Sequence, residues 1–246
     1  MKIFLSNDDG INSNGLISLA KKLSIENELL IIAPNGNRSA SAHSMTVGKP
    51  IKINKVNILD GVNSYEISGT PVDCVKMSKL LFPNFKADLV VAGINKGHNL
   101  GSDILYSGTL SIACESAFFD NISFAFSSFN LGESDFDLFS NYAEKIIKKL
   151  YPISHPGDIW NVNFPDTPKI KGIKFTKLGK QIYSDRYELV SNNTYKLIGE
   201  LLSHDQNCDD CDVEWIKKGY ITITPILYNK TNFSRLDSID VNFFNE

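Results

Sequence analysis

Between residues 2 and 150, short apolar runs alternate with stretches of helical period, a pattern that calls for a parallel sheet with helices on its faces. "KIFLS" (residues 2–6) and "ELLIIAP" (28–34) read as buried strands. Between them Leu16, Ile17, Leu19, Ala20 and Leu23 follow the helical period over about residues 13–25, which makes a βαβ unit. After a looser stretch holding "PIKIN" and "SYEIS", Thr70 and Pro71 supply an N-cap and a first helical residue. Val72, Val75, Met77 and Leu80 then continue a second crossover helix. "DLVVAG" (88–93) and "ISFAFSS" (122–128) are further strands, each followed by a helix, the last over about 135–150.

From about residue 158 to 246 the pattern changes to "DIWNVNFP", "GIKFT", "DRYELV", "TYKLIG" and "YITITPI", strand-like runs without regular helices between them. The expectation is one α/β domain spanning residues 1–246. It combines a Rossmann-like, doubly wound, mostly parallel sheet with a more antiparallel β extension and a terminal helix. With 28 acidic against 25 basic residues and a net charge of -3, the chain has no basic field to hold a nucleic acid duplex. No apolar stretch reaches membrane-spanning length and the N-terminus does not read as a signal peptide, so the expected setting is cytoplasmic and away from membranes. Four cysteines are too few and too scattered for a disulfide framework, in keeping with a reducing compartment.

Two adjacent carboxylates, Asp8 and Asp9, follow the first strand and precede a glycine. Ligands of open α/β sheets collect beyond the carboxyl ends of the strands, and two like charges placed there call for a cation or protons. The plainer reading has one carboxylate capping the next helix and the other solvated. The loop after the second strand carries Asn37, Arg38, Ser39 and Ser41, and the loop after "DLVVAG" carries "INKGHNLGSDILYSGT". Carboxylate, hydroxyl and amide oxygens at three strand ends are the hard ligands that suit Mg²⁺ or Mn²⁺, with no zinc-type His/Cys cluster among them.

"NDDG", "APNGNRSASAHS", "SGTPVDCV", "AGINKGHNLGSDILYSGT", "NVNFP" and "GYITITP", in this order over nearly the whole chain, resemble the SurE family of metal-dependent nucleotidases. The resemblance implies one divalent cation per subunit held by Asp8, Asp9, Ser39 and Asn95, with Asp8 and Asp9 as the catalytic carboxylates. It also implies hydrolysis of nucleoside 5′- or 3′-monophosphates and, in some members, of short polyphosphate. Ser107, Gly108 and Thr109 of "YSGT" precede a helical run and are expected to bind phosphate at its N-terminus, with Asn37 reaching it from the facing loop. Simple helix capping by Ser107 or Thr109 is the competing reading. His43 and His98 are expected to be solvated loop residues outside catalysis. Ala40 and Ala92 stand where the family usually has glycine and serine, and "LSIACES" is bulkier than the usual helix start.

"HDQNCDDCD" (204–212) suggests half of a zinc site but lacks a fourth ligand, and is expected to be an incidental loop. A receiver-like domain is disfavoured because Asn95 stands where a phospho-accepting Asp would be needed. A non-catalytic nucleotide-binding module is the remaining alternative. At the C-terminus Leu236, Ile239, Val241, Phe243 and Phe244 form an apolar set with nothing after them to cover it, and "DRYELV" and "TYKLIG" read as a marginal hairpin. The resemblance implies a homodimer or tetramer that exchanges C-terminal segments.

Overall fold

A computed structural model describes residues 1–129, 133–204 and 208–239, without the side chains of residues 133, 134, 203 and 204. Strands β1 (Lys2–Ser6), β2 (Glu28–Pro34), β3 (Ile53–Val56), β4 (Asn63–Ile67), β5 (Leu89–Lys96), β6 (Ile122–Ser128), β7 (Ile159–Phe164), β8 (Ile173–Phe175) and β13 (Ile221–Ile226) form one sheet in the order β3-β4-β2-β1-β5-β6-β7-β13-β8. From β4 to β7 all neighbours are parallel, while β3 and β13 pair antiparallel with β4 and β7. The chain runs outward one way from β1 through β2 and the other way from β5, so β1 lies at the topological switch point. In such sheets ligand crevices open beyond this point. The fold is the expected α/β Rossmann-like one.

Alternation within the strands sends side chains to two cores. Ile3 and Leu5 pack with Ile31, Val91, Phe124 and Phe126 under α1 (Asn14–Leu23) and α4 (Glu133–Leu150). Phe4 packs with Ile32, Val90, Ala92 and Ala125 under α2 (Pro71–Leu81) and α3 (Gly108–Ala117). At α2 the Thr70 hydroxyl accepts from Asp73 N–H and the Asp73 carboxylate accepts from Thr70 N–H, a full capping box.

Strands β10 (Arg186–Ser191) and β11 (Thr194–Ile198) form the expected hairpin, and α6 (Phe233–Asp237) is the terminal helix. Two features of this half differ from the sequence reading. The short strands β9 (Gln181–Tyr183) and β12 (Leu201–His204) pair as a separate ribbon, and a helix, α5 (Asp212–Lys217), precedes β13. Six residues are too few to display the helical period, so α5 does not stand out in the sequence. Cys211, expected in an incidental loop, is 1% exposed at the N-cap of α5, and its sulfur is paired with that of Cys208. In the tail Leu236 and Ile239 are exposed, while Val241, Phe243 and Phe244 lie outside the described residues. Among the described residues no helix is long and apolar enough to cross a membrane.

Candidate active site at the sheet switch point

Asn7 builds the turn that follows β1. Its Nδ2 donates to Gly10 O and Ser13 Oγ, and its Oδ1 accepts from Gly10 N, which fixes Asp8 and Asp9 at the strand end. Asp8 is 4% exposed. Its Oδ1 accepts a hydrogen bond from the Thr109 hydroxyl, and the Thr109 N–H also faces the carboxylate. Burial, with the like charge of Asp9 added, raises the Asp8 carboxyl to about 6 against the pull of these donors. Burial also raises Asp9, while its Oδ2 accepts from Lys96 N at 2.8 Å. An adjacent pair of carboxylates pushed toward protonation is electrostatically incomplete, and a bound cation would complete it.

Neighbouring elements bring more oxygens to this pair. β5 runs parallel to β1 and its Lys96 N–H bonds Asp9, so the adjacent Asn95, which is 9% exposed, lies at the same end of the sheet. Asn95 Nδ2 donates to Gly97 O at 2.7 Å, so its Oδ1 is the atom left for a ligand. From the loop after β2, Arg38 N donates to Asp8 O at 2.7 Å, which sets Ser39 next to the Asp8 backbone. The exposed Ser39 donates its N–H to Asn37 Oδ1 at 2.6 Å, leaving the Ser39 hydroxyl and the Asn37 Nδ2 free of protein partners among the described residues. The loop is held again where Ala42 N donates to Tyr106 O. Ala40 has φ +57, the left-handed region that disfavours a Cβ.

Helix α3 points its N-terminus at Asp8. A Cβ on Gly108 would stand 2.7 Å from both Cβ and Oδ2 of Asp8, so only glycine allows the helix this close. Ser107 caps the helix by accepting from Leu110 N at 3.0 Å, the capping role foreseen for it, and its hydroxyl proton is free to serve a ligand. Thr109 differs from expectation. Its hydroxyl has no exposed surface and is directed at Asp8, so it positions the carboxylate.

The "NVNFP" motif acts at a distance. Asn161 and Asn163 both donate to Asn99 O, and Asn99 N donates to Asn163 Oδ1 at 2.8 Å, which clamps the loop after Asn95 to β7. His98 is not solvated as expected. Its Nε2 meets Phe164 O at 2.8 Å and Asp166 Oδ1 at 3.2 Å, and burial lowers its pKa. His43 pairs with Glu115 on α3 at 2.9 Å, and Lys76 from α2 joins the same carboxylate at 2.6 Å. Neither pairing shows a local sequence signal, because the partners lie 72 and 39 residues apart. A cavity of about 900 Å³ opens beside Gly97 and His98, and a smaller one of about 200 Å³ lies beside Ser107 and His43.

The family model described as survival protein SurE matches residues 3–185. A relative called 5′-nucleotidase SurE in Pseudothermotoga lettingae is 40% identical over 230 residues, which cover 92% of this chain and 88% of that protein. One of the same name in Clostridium tetani is 40% identical over 248 residues, covering 97% of this chain and 98% of its own. The crystal structure of the SurE protein from Aquifex aeolicus superposes with a TM-score of 0.85 at 32% identity, covering 100% of both chains. With the family match, these relatives and the site at the β1 switch point in agreement, the chain belongs to the SurE family.

Proposed function

We propose that this chain is a divalent-metal-dependent phosphomonoesterase that hydrolyses nucleoside 5′-monophosphates to nucleoside and phosphate. The observation that carries the reading is the buried Asp8 carboxylate, set beside Asp9 at the switch point and facing the N-terminus of α3. Support comes from the names of the relatives, each a 5′-nucleotidase. The 3′-monophosphates and short polyphosphate implied by the family resemblance are further candidates for the same site.

Asp8, Asp9, Ser39 and Asn95 would hold one Mg²⁺ or Mn²⁺, a hard-oxygen set that fits such an ion. When bound, the ion supplies positive charge that offsets what builds up on the phosphoryl oxygens and makes water a better nucleophile. The chain's own groups do the remaining work. The Ser107 hydroxyl and the Gly108 N–H at the start of α3 receive the phosphoryl oxygens, where the helix dipole and these donors favour an anion. Asn37 Nδ2 reaches the phosphate from the facing loop, and Thr109 holds Asp8 in one orientation. Asp8→Asn and Asp9→Asn are expected to abolish cation-dependent phosphate release from a nucleoside monophosphate while melting temperature stays near that of the parent, because each removes charge and not packing. Near-normal turnover in both variants would overturn the assignment. Tight nucleotide binding without any phosphate release by the parent would favour the non-catalytic binding module.

The chain is further proposed to assemble as a homodimer or a dimer of dimers through its C-terminal half. In the β10–β11 hairpin, Tyr187 stands opposite Leu197 and Leu189 opposite Tyr195, and each of these four side chains is more than half exposed. Leu227 and Leu236 in the tail are also more than half exposed. Apolar area of this kind marks an interface, and a second copy exchanging its tail would cover it. Light scattering should give at least twice the chain mass at micromolar concentration. A stable monomer would contradict this.

A further inference from the structure

Cys208 and Cys211 lie outside the chemistry of β1 and α3 but are mechanically joined to it. The two sulfurs are paired as a disulfide, with Cα atoms 5.5 Å apart, inside the range such bonds require. Cys211 packs with Leu100, Val213 and Ile216, whereas Cys208 at the edge of this cluster is partly exposed. The next residue, Asp212, has no exposed surface and accepts three backbone N–H groups at 2.8 Å, from Gly101 on Oδ2 and from Gly179 and Val213 on Oδ1. A Cβ on Gly101, whose φ is +50, would fall 2.6 Å from Gly179 O, so the two segments that Asp212 joins are in direct contact. Gly101 opens the 3₁₀ helix Gly101–Tyr106, and the residue after it is Ser107, the cap of α3. Leu100, Asp103, Val213 and Ile216 also line the 900 Å³ cavity, so the clamp forms part of its wall.

We propose that Cys208 and Cys211 are a reversible thiol–disulfide site that sets how firmly Asp212 holds the Gly101–Tyr106 helix leading into Ser107. The co-reactant is a disulfide of a small thiol, RSSR. Cys208, the accessible sulfur, attacks it to form a mixed disulfide and release one RSH. Cys211 then displaces the second RSH, so two electrons and two protons pass from the cysteines to RSSR, which leaves as two RSH. With the bond closed, residues 208–211 are locked and Asp212 stays in place. With it open, the turn is held by the Cys211 N–H to Cys208 O bond at 3.3 Å. A metal role for the cluster is less favoured because Asp210, its third ligand, is already paired with Lys177 at 2.7 Å.

The test equilibrates the full chain in glutathione buffers of stepped ratio, blocks free thiols with N-ethylmaleimide and reads the 208–211 peptide by mass. Hydrogen exchange of the peptides holding Gly101 and Gly179 is followed in the same samples. The expected result is a single two-electron transition, with exchange at Gly101 about tenfold or more slower in the oxidised form, the order by which closing so small a loop restricts the open ensemble. Cys208→Ser should exchange at the reduced rate in every buffer. Failure to form the bond at any ratio, a bond that leaves exchange unchanged, or stoichiometric zinc released on unfolding would each overturn the proposal.

Discussion

Thr109→Val deletes one hydroxyl from a side chain with no exposed surface and keeps its shape, so its effect reports on the hydrogen bond to Asp8. A hydrogen bond to a charged group contributes about 1.5–3 kcal/mol. At ~1.4 kcal/mol per factor of ten, that predicts a loss of roughly 10- to 100-fold. Removing the outer partner of a metal-ligating group costs a similar ~10–100-fold in affinity or activity. The Thr109 N–H also faces Asp8 and survives the substitution, which places the expectation in the lower half of the range. The assay is kcat/KM for a nucleoside monophosphate together with Mn²⁺ affinity by calorimetry, with circular dichroism to show that the fold is kept. Thr109→Ser retains the hydroxyl and should remain within a few-fold of the parent. If Thr109→Val kept both Mn²⁺ affinity and kcat/KM within twofold, the positioning role would be refuted.

Gly108→Ala forces a methyl to within 2.7 Å of Asp8 Cβ, and overpacking of this kind costs about 1–3 kcal/mol, so activity should fall by more than tenfold with a lowered melting temperature. Ala40→Gly relieves a φ of +57 and should raise melting temperature by a few degrees, because the left-handed penalty of about 1–2 kcal/mol exceeds the added chain entropy. An unchanged or lower midpoint would show that the loop is not strained there. Burial opposes ionisation of Glu115, but His43 and Lys76 outweigh it and hold its pKa below the ordinary value of 4.5. The stabilisation is therefore present at neutral pH and lost as pH falls through the depressed value, so Glu115→Gln should lower the melting temperature at pH 7, and the difference from the parent should close only once pH falls below that depressed value. Deleting the chain after Asn232 should shift the assembled species toward monomer in light scattering, and an unchanged mass would remove the tail from the interface.

The strands that read most clearly, β1, β2, β5 and β6, are buried on both faces, so each shows as an uninterrupted apolar run. The ribbon of β9 and β12, in which Ile182, Tyr183, Leu201 and Leu202 are exposed, and the six-residue α5 carry no such run, so local sequence does not mark them. At the site, Asp8 and Asp9 stand out as candidates because strand ends are predictable places for ligands, whereas Ser39 and Asn95 enter as candidates only through the resemblance to the SurE motifs. The link from Thr109 to Asp8 spans 101 residues, and the clamp of Asn161 on Asn99 spans 62. Such pairings depend on which strands become neighbours, which local pattern does not report. Ala40 illustrates the converse: its place in a polar loop is visible in the sequence, while its left-handed backbone needs the structure.

Titrating Mn²⁺ into chelator-treated protein by calorimetry addresses the central claim, that Asp8, Asp9, Ser39 and Asn95 together form one divalent-cation site. The prediction is a single ion per chain for the parent, with that binding lost in Asp8→Asn and phosphate release from a nucleoside 5′-monophosphate restored only as the parent's site fills. Mn²⁺ binding that survives Asp8→Asn unchanged, or hydrolysis that proceeds equally in the chelated protein, would contradict it.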